Sequence, residues 1–234
     1  RSKIEKFPLV LMLEPLFACD LKCSGCGRIR EYKDELGKRM SVDEALKASR
    51  ECDAPVVSVC GGEPLIYPEI KELVSKLLEQ GRVVYLCTNG QRLVETISNF
   101  KPHPRFNFNV HLDGLADTHD KITGSQGSFQ KALSGIRKAK ELGFTVCTNT
   151  TVYSESSIDE LKALIELLTR EVDGILMSPG FEYGEVADKN FFLKKQQVVD
   201  KFKQLNKELR GKKVWTSPIR SEERRVGKEC RSRW

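Results

Sequence analysis

The sequence predicts an α/β fold built on a parallel sheet, and three observations carry that reading. Short apolar runs bounded by turn residues alternate along most of the chain with longer amphipathic stretches. Six strand–helix pairs recur in that order, the pattern of a parallel sheet with its helices outside. The residues with the most chemistry in them follow directly after the strands, at the edge where βα loops emerge. Six units are too few for a closed eight-fold barrel, so an open doubly wound sheet and an incomplete barrel both fit.

Strands are expected at 9–13, 56–60, 83–87, 106–111, 145–149 and 174–178. Helices are expected at 41–51, 69–80, 91–98, 128–142, 157–170 and 191–209. Ser41 with Glu44 three residues on is a capping-box start, and Pro68 suits the first turn of the second helix. Gly81 and Gly143 stand where helices end.

Composition sets the outer limits. The chain has 234 residues, 39% apolar and 31% charged, as expected of a soluble globular domain. Its longest apolar run, 7–13, falls far short of the roughly 20 residues of a membrane span. No charged start leads into an apolar segment and a small-residue cleavage site, so neither a membrane protein nor a secreted disulfide scaffold is expected. There are 39 basic and 33 acidic side chains, a formal charge of +6. The stretch 220–234 (RSEERRVGKECRSRW) contains six basic and three acidic residues and supplies half of that excess. It lacks apolar periodicity and resembles translated adapter read-through. Residues 1–219 are therefore expected to be the authentic domain, truncated at both ends, and 220–234, with Cys230 and Trp234, a foreign tail. The remaining charge does not point to nucleic acid.

After the first strand comes Cys19-x-x-x-Cys23-x-x-Cys26, with Gly25 and Gly27 letting the backbone bend around something bulky. A zinc site usually closes with four ligands, and no matching second pair is present. Three core cysteines would be an odd filling for a polar loop. A [4Fe–4S] cluster held by three thiolates leaves one iron open to a small molecule, and the spacing favours it. After the second strand, Gly61-Gly62-Glu63-Pro64 permits close backbone approach and offers a carboxylate to an ammonium group, although a plain strand-to-helix turn reads the same way.

Alternation adds a polar face. Tyr85, Cys87 and Asn89 share one side of the third strand. Asn107, Asn109, His111 and Asp113 oppose Phe106, Phe108, Val110 and Leu112 on the fourth, and Cys147 and Asn149 align on the fifth. Polar residues on an inward face need partners, and a nucleoside cofactor would supply them. Cys52, Cys60, His103 and His119 read as structural, and Lys194 with Lys195 as a solvated helix face.

The cysteine triplet beside the Gly-Gly-Glu turn resembles the radical S-adenosylmethionine (SAM) superfamily, which implies a partial (βα)6 barrel of the TIM type. The resemblance implies that Cys19, Cys23 and Cys26 hold a [4Fe–4S] cluster, and that SAM binds its open iron. It also implies that Gly61, Gly62, Glu63 and Pro64 receive the SAM amino group. Asn89 is a further cofactor-facing candidate, His111 and Asp113 would meet the ribose, Asn149 the methionine carboxylate, and Ser178 with Pro179 and Gly180 would border the adenine. The residue before the third cysteine is commonly aromatic in the superfamily, whereas here it is Gly25.

Within that superfamily, PLVLMLEPLFACDLKCSGCG, APVVSVCGGEPL, VYLCTN, VHLDG and the segment at 178–183 resemble the adenosyl hopene transferases of bacterial hopanoid biosynthesis, from about residue 7 to 219. Gly25 is typical of that family, while Cys60 and Thr150 depart from it, and its members continue past the point where the suspect tail begins. The implied reaction adds the 5′-deoxyadenosyl radical to the alkene of diploptene, a triterpene, with Cys87 as donor of the hydrogen atom that quenches the substrate radical. The implied partners are diploptene, a reductase or a flavodoxin or ferredoxin as electron donor, and the membrane surface in passing. A cytoplasmic place, peripheral at the inner membrane face, is expected. Hydrogen abstraction from a peptide or small molecule is the alternative within the superfamily, and a non-catalytic metal-binding module lies outside it.

Overall fold

The computed structural model describes residues 7–182, 184–186, 188–209 and 214–216. The suspect tail at 220–234 and Tyr183 of the sixth-strand segment lie outside the described residues. Seven strands, β1 (Val10–Leu13), β2 (Val56–Val59), β3 (Val83–Thr88), β4 (Phe106–His111), β5 (Thr145–Val152), β6 (Gly174–Pro179) and β7 (Val214–Thr216), form one sheet in sequence order. Every neighbouring pair is parallel. A doubly wound sheet reverses its strand order at a switch point, and this one does not. The sheet is therefore a part-barrel of the TIM type, with β1 and β7 as its unpaired edges among the described residues.

The helices are α1 (Arg28–Glu31), α2 (Val42–Cys52), α3 (Ile70–Glu79), α4 (Leu93–Thr96), α5 (Ala116–Thr123), α6 (Ser128–Glu141), α7 (Ile158–Leu168) and α8 (Lys195–Glu208). Ser41 and Glu44 make the expected reciprocal cap on α2. Gly81 and Gly143 follow α3 and α6 in the left-handed conformation, at φ 81° and 83°. Ile70, Leu73, Val74 and Leu77 of α3, and Leu161, Leu164, Ile165 and Leu168 of α7, are the buried stripes that periodicity predicts.

Those stripes cover the outer face of the sheet. Val57, Val59, Val84, Leu86, Phe108, Val110 and Val146 are fully buried there. Phe100, Phe106, Phe108 and Phe144 stack edge to face at its centre, with centroids as close as 4.9 Å. Each such side chain contributes about 1.5–3 kcal/mol by leaving water. The inner face carries the other parity, in rows such as Met12–Ser58–Tyr85–Asn107 and Cys87–Asn109–Cys147. Among the described residues no helix is long and apolar enough to cross a membrane.

Several elements differ from expectation, β7 among them, since no strand was expected after the sixth. β5 runs to Val152 rather than 149, which adds Thr151 to the inner face and delivers Tyr153 just past its end. α5 arises from a mostly polar segment, ADTHDKIT, that buries only His119, Ile122 and Thr123 and so lacks a helical apolar signal. Phe191 ends a 3-10 turn before α8 and Phe192 follows it, and the rings of both pack on Tyr153.

A long-range contact adds to the burial of Phe202 and Leu205 in holding α8. Lys201 Nζ donates to the carbonyls of Tyr153, Ser154 and Ser156 at 3.0, 2.9 and 2.7 Å, closing the loop after β5. Replacing Lys201 with Met keeps the stem and orphans these carbonyls. The expected loss is about 2 kcal/mol, read as a lower denaturant midpoint with unchanged slope. An unchanged midpoint would show that water replaces the ammonium at no cost.

Candidate active site

Beyond β1 the chain is fastened along the turn that follows β2. Cys60 N–H donates to Leu13 O at 2.8 Å, Gly62 N–H to Leu16 O at 3.0 Å, and Glu63 N–H to Ala18 O at 2.8 Å. Glycine is required at 62, because a Cβ there would lie 1.8 Å from Ala18 O. Gly61 adopts φ +119°, with Leu16 O where its Cβ would be. The ladder ends at Ala18, one residue before the first cysteine of the triplet.

Cys19, Cys23 and Cys26 are free and half-buried on that loop. Leu21 N–H donates to Cys19 Sγ at 3.4 Å. Cys23 and Cys26, with Lys22, Ile29 and Arg30, line a cavity of about 160 Å³. Burial pushes the Cys19 thiol up to about 11, and the nearby Glu63, Asp20 and Cys26 add to the shift against the Leu21 bond. Burial also raises Cys23, reinforced by Asp113, Cys26 and Cys19. Three thiolates held this close need a cationic centre to stay ionised together. Among the described residues no three His, Cys, Asp or Glu side chains converge as ligands of a single ion. A closed zinc site takes four ligands, whereas three thiolates are the donor set of a [4Fe–4S] cluster with one iron left open. The donor set thus fits a [4Fe–4S] cluster.

Glu63 is 1% exposed. Its Oε1 accepts from Leu65 N–H at 2.9 Å and Thr88 O–H at 2.7 Å, and its Oε2 from Asn89 N–H at 2.8 Å. Burial raises the carboxyl to about 7 against these bonds. The carboxylate read in the sequence as an ammonium acceptor is thus committed to the end of β3 and to Leu65 in the 3-10 turn that the buried Pro64 opens. Asn89 is similarly engaged. Its Nδ2 donates to Asp20 Oδ1 at 2.7 Å and reaches Cys19 Sγ at 3.8 Å, while Arg92 Nε holds Asp20 Oδ2 at 2.9 Å. Asn89 therefore braces the cysteine loop.

On the inner wall Cys87 sits between Ser58 Oγ at 3.2 Å and Asn109 Nδ2 at 3.6 Å. Burial raises its thiol, and the bonds from Ser58 and Asn109 only partly offset that. Asn109 Oδ1 is buried without a partner among the described residues. Higher on the wall His111 Nε2 lies 2.6 Å from Asp113 Oδ2. Burial opposes charge on His111, but the Asp113 carboxylate outweighs it and the pKa rises. Asp113 is 1% exposed and accepts from Thr151 N–H at 2.7 Å, so it orients His111 rather than facing the opening. His119, read as structural, accepts the Asp113 N–H at 3.1 Å; burial and the nearby His111 lower it to about 4 and keep it neutral. Asn149 pairs with His111 in register, and Ser178 with Thr151, both half-buried on the same face.

Sequence reading missed three participants. Arg28 pairs with Glu14 beside the loop, Asp20 anchors Asn89, and Tyr153 lies against Gly25. For Tyr153 a signal existed, since it continues the parity of Cys147, Asn149 and Thr151.

Comparison with known proteins supplies the family. Residues 13–168 match the family model of the Radical SAM superfamily. The chain is 30% identical over 165 residues to an AdoMet-dependent heme synthase of Methanosarcina barkeri, covering 68% of this chain and 47% of that protein. It is 30% identical over 162 residues to a probable GTP 3′,8-cyclase of Methanococcus maripaludis, covering 68% and 54%. The chain thus spans about half the length of the curated relatives it matches. Streptococcus suis SuiB bound to S-adenosylmethionine shares the fold with a TM-score of 0.75 at 19% identity, over 90% of this chain and 50% of that one.

The Glu63 carboxyl rises on folding from 4.5 to about 7, so the cluster-free folded chain keeps a proton that the unfolded chain has released. Stability from this group is therefore greatest below the lower value and falls as pH rises through the upper. In Glu63→Gln that contribution disappears. Thermal midpoints of both proteins, taken from about pH 5 to about pH 8, should show the wild type losing ground to the variant as pH rises. Parallel profiles would refute it. Glu63→Ala orphans two N–H groups and a hydroxyl and should cost about 2 kcal/mol or more at either pH.

Proposed function

The chain belongs to the radical SAM superfamily, and we propose that it is an adenosyl transferase, adding the 5′-deoxyadenosyl radical to the alkene of an apolar polycyclic substrate such as diploptene. The superfamily implies a [4Fe–4S] cluster and SAM as cofactors, and a low-potential electron donor. When bound, the cluster supplies the electron that cleaves the SAM sulfonium to methionine and this radical. Cys19, Cys23 and Cys26 would hold it. With the Glu63 carboxylate turned into the fold, backbone carbonyls of the turn at Gly61 and Gly62 are left to receive the SAM ammonium. His111, oriented by Asp113, with Asn149 and Ser178, offers polar groups to the ribose, carboxylate and adenine.

The observation that carries the choice of reaction is Cys87. Radical addition forms a carbon–carbon bond and moves the unpaired electron to the substrate carbon, which must then gain a hydrogen atom. A half-buried thiol, raised by desolvation and so protonated at neutral pH, is suited to give one. Its S–H bond breaks, a C–H bond forms, and the sulfur radical left behind is restored by one electron and one proton from the reductant. Ser58 and Asn109 hold that sulfur on the inner wall. Lower on the same face, beside Ser58, Tyr85 and Asn107, Met12 and Val10 of the edge strand β1 are 60% and 50% exposed, an apolar rim that supports a hydrocarbon substrate. Such a substrate would be collected from the inner face of a membrane.

A second reading, hydrogen abstraction from another substrate, draws on the relatives, which include heme synthases, GTP cyclases and SuiB bound to a precursor peptide. The experiment that separates them is anaerobic reconstitution with iron and sulfide, followed by SAM, a reductant and diploptene. Mass spectrometry should find the adenosyl–triterpene adduct, whereas free 5′-deoxyadenosine alone would reject the transferase reading. Cys87→Ala should cut adduct yield about tenfold while SAM cleavage persists, and Cys87→Ser should not restore it because the O–H bond is too strong. Full yield from Cys87→Ala would remove Cys87 from the mechanism.

A further inference from the structure

Gly25 and Gly180 come from opposite sides of the opening, one from the cysteine loop and one from the end of β6. A Cβ on Gly25 would lie 2.3 Å from the Tyr153 hydroxyl, and a Cβ on Gly180 would lie 2.8 Å from the Tyr153 ring. One phenol therefore fills the space that two glycines leave. Tyr153 cannot swing aside to make room, because its surroundings fix it from several directions. Its ring stacks on Phe191 with centroids 4.1 Å apart and meets Phe192 edge-on at 5.8 Å. Its backbone N–H donates to Ser156 Oγ at 3.0 Å, and its carbonyl accepts from Lys201 at 3.0 Å. The side chain is 5% exposed.

We propose that Tyr153 is a positioning residue for the cofactor site, its ring acting as the spacer that sets the distance between the three-cysteine loop and the end of β6. The aromatic side chain that the loop itself lacks at position 25 is thereby supplied from β5. A cofactor that reaches from the cluster toward β6 must span the gap this ring defines. The ring, not the hydroxyl, performs the role. This inference rests on the cluster and SAM that the family implies and is independent of the choice of substrate.

The test is a reciprocal exchange in the full chain, read without turnover: iron and sulfide per chain, the electron paramagnetic resonance spectrum of the reduced cluster with and without SAM, and SAM affinity. Tyr153→Ala should keep its iron but bind SAM at least about tenfold more weakly, with the SAM-induced spectral change lost. Tyr153→Phe should behave as the wild type. Gly25→Phe should fail to hold iron, because two rings compete for one space, and Gly25→Phe combined with Tyr153→Ala should recover it. Wild-type SAM affinity and spectrum in Tyr153→Ala, or normal iron loading in Gly25→Phe, would overturn the proposal. If Tyr153→Ala does not fold, the double variant decides, with recovered iron and SAM response supporting the spacer role and no recovery refuting it.

Discussion

Glu63 ties the first three strands of the barrel together at the edge where the chemistry belongs. Its backbone N–H takes the carbonyl just before Cys19, and its carboxylate takes the side-chain O–H of Thr88 and the N–H of Asn89 at the end of β3. Asn89 then reaches back to Asp20 and Cys19. The result is a closed circuit of hydrogen bonds around a buried carboxyl, which fastens the start of the cysteine loop. A loop of three cysteines tied down at one end only would lose much conformational freedom on taking up a cluster. Fastened along the β2 turn and braced from β3, it has surrendered much of that freedom already.

The two faces of the sheet divide the work. The outer face is a continuous apolar layer under the helices, and the hydrophobic gain of the fold lies there. The inner face lacks that cover in its lower rows and carries half-exposed side chains whose polar atoms pair along the wall. The buried oxygen of Asn109 on this wall has no partner among the described residues, and neither have the hydroxyls of Thr148 and Thr150 on the outer face. Unpaired buried polar groups are expensive, and a fold retains them where a bound molecule or water completes them.

Much of this was legible in the sequence, and the rest was hidden for physical reasons. Strands and helices with strong periodicity, such as β4 and α3, stood close to where the pattern put them. The polar segment that becomes α5 could not be read, because its stability comes from packing His119 and Ile122 rather than from an apolar stripe. In the site, the cysteines and the Gly-Gly-Glu turn were visible as local spacing. The direction in which Glu63 points was not, since its partners Thr88 and Asn89 lie on another strand. Nor was the match between Gly25 and Tyr153, which only the folded barrel brings together.

Cysteine chemistry in this chain is sorted by backbone context. Cys19, Cys23 and Cys26 stand together on one loop, where burial and neighbouring charges raise the Cys19 and Cys23 thiols and a bound metal centre would favour their thiolates. Cys87 stands on β3, with burial outweighing the hydrogen bonds of Ser58 and Asn109. The first environment favours thiolate once a cation arrives, and the second favours thiol throughout. The proposed transferase reaction, with a cluster to anchor and a carbon radical to quench, would call for sulfur in each of these states, within one barrel, without either site acquiring the other's chemistry. Separating them onto a loop at the mouth and a strand on the wall achieves this with desolvation and geometry alone.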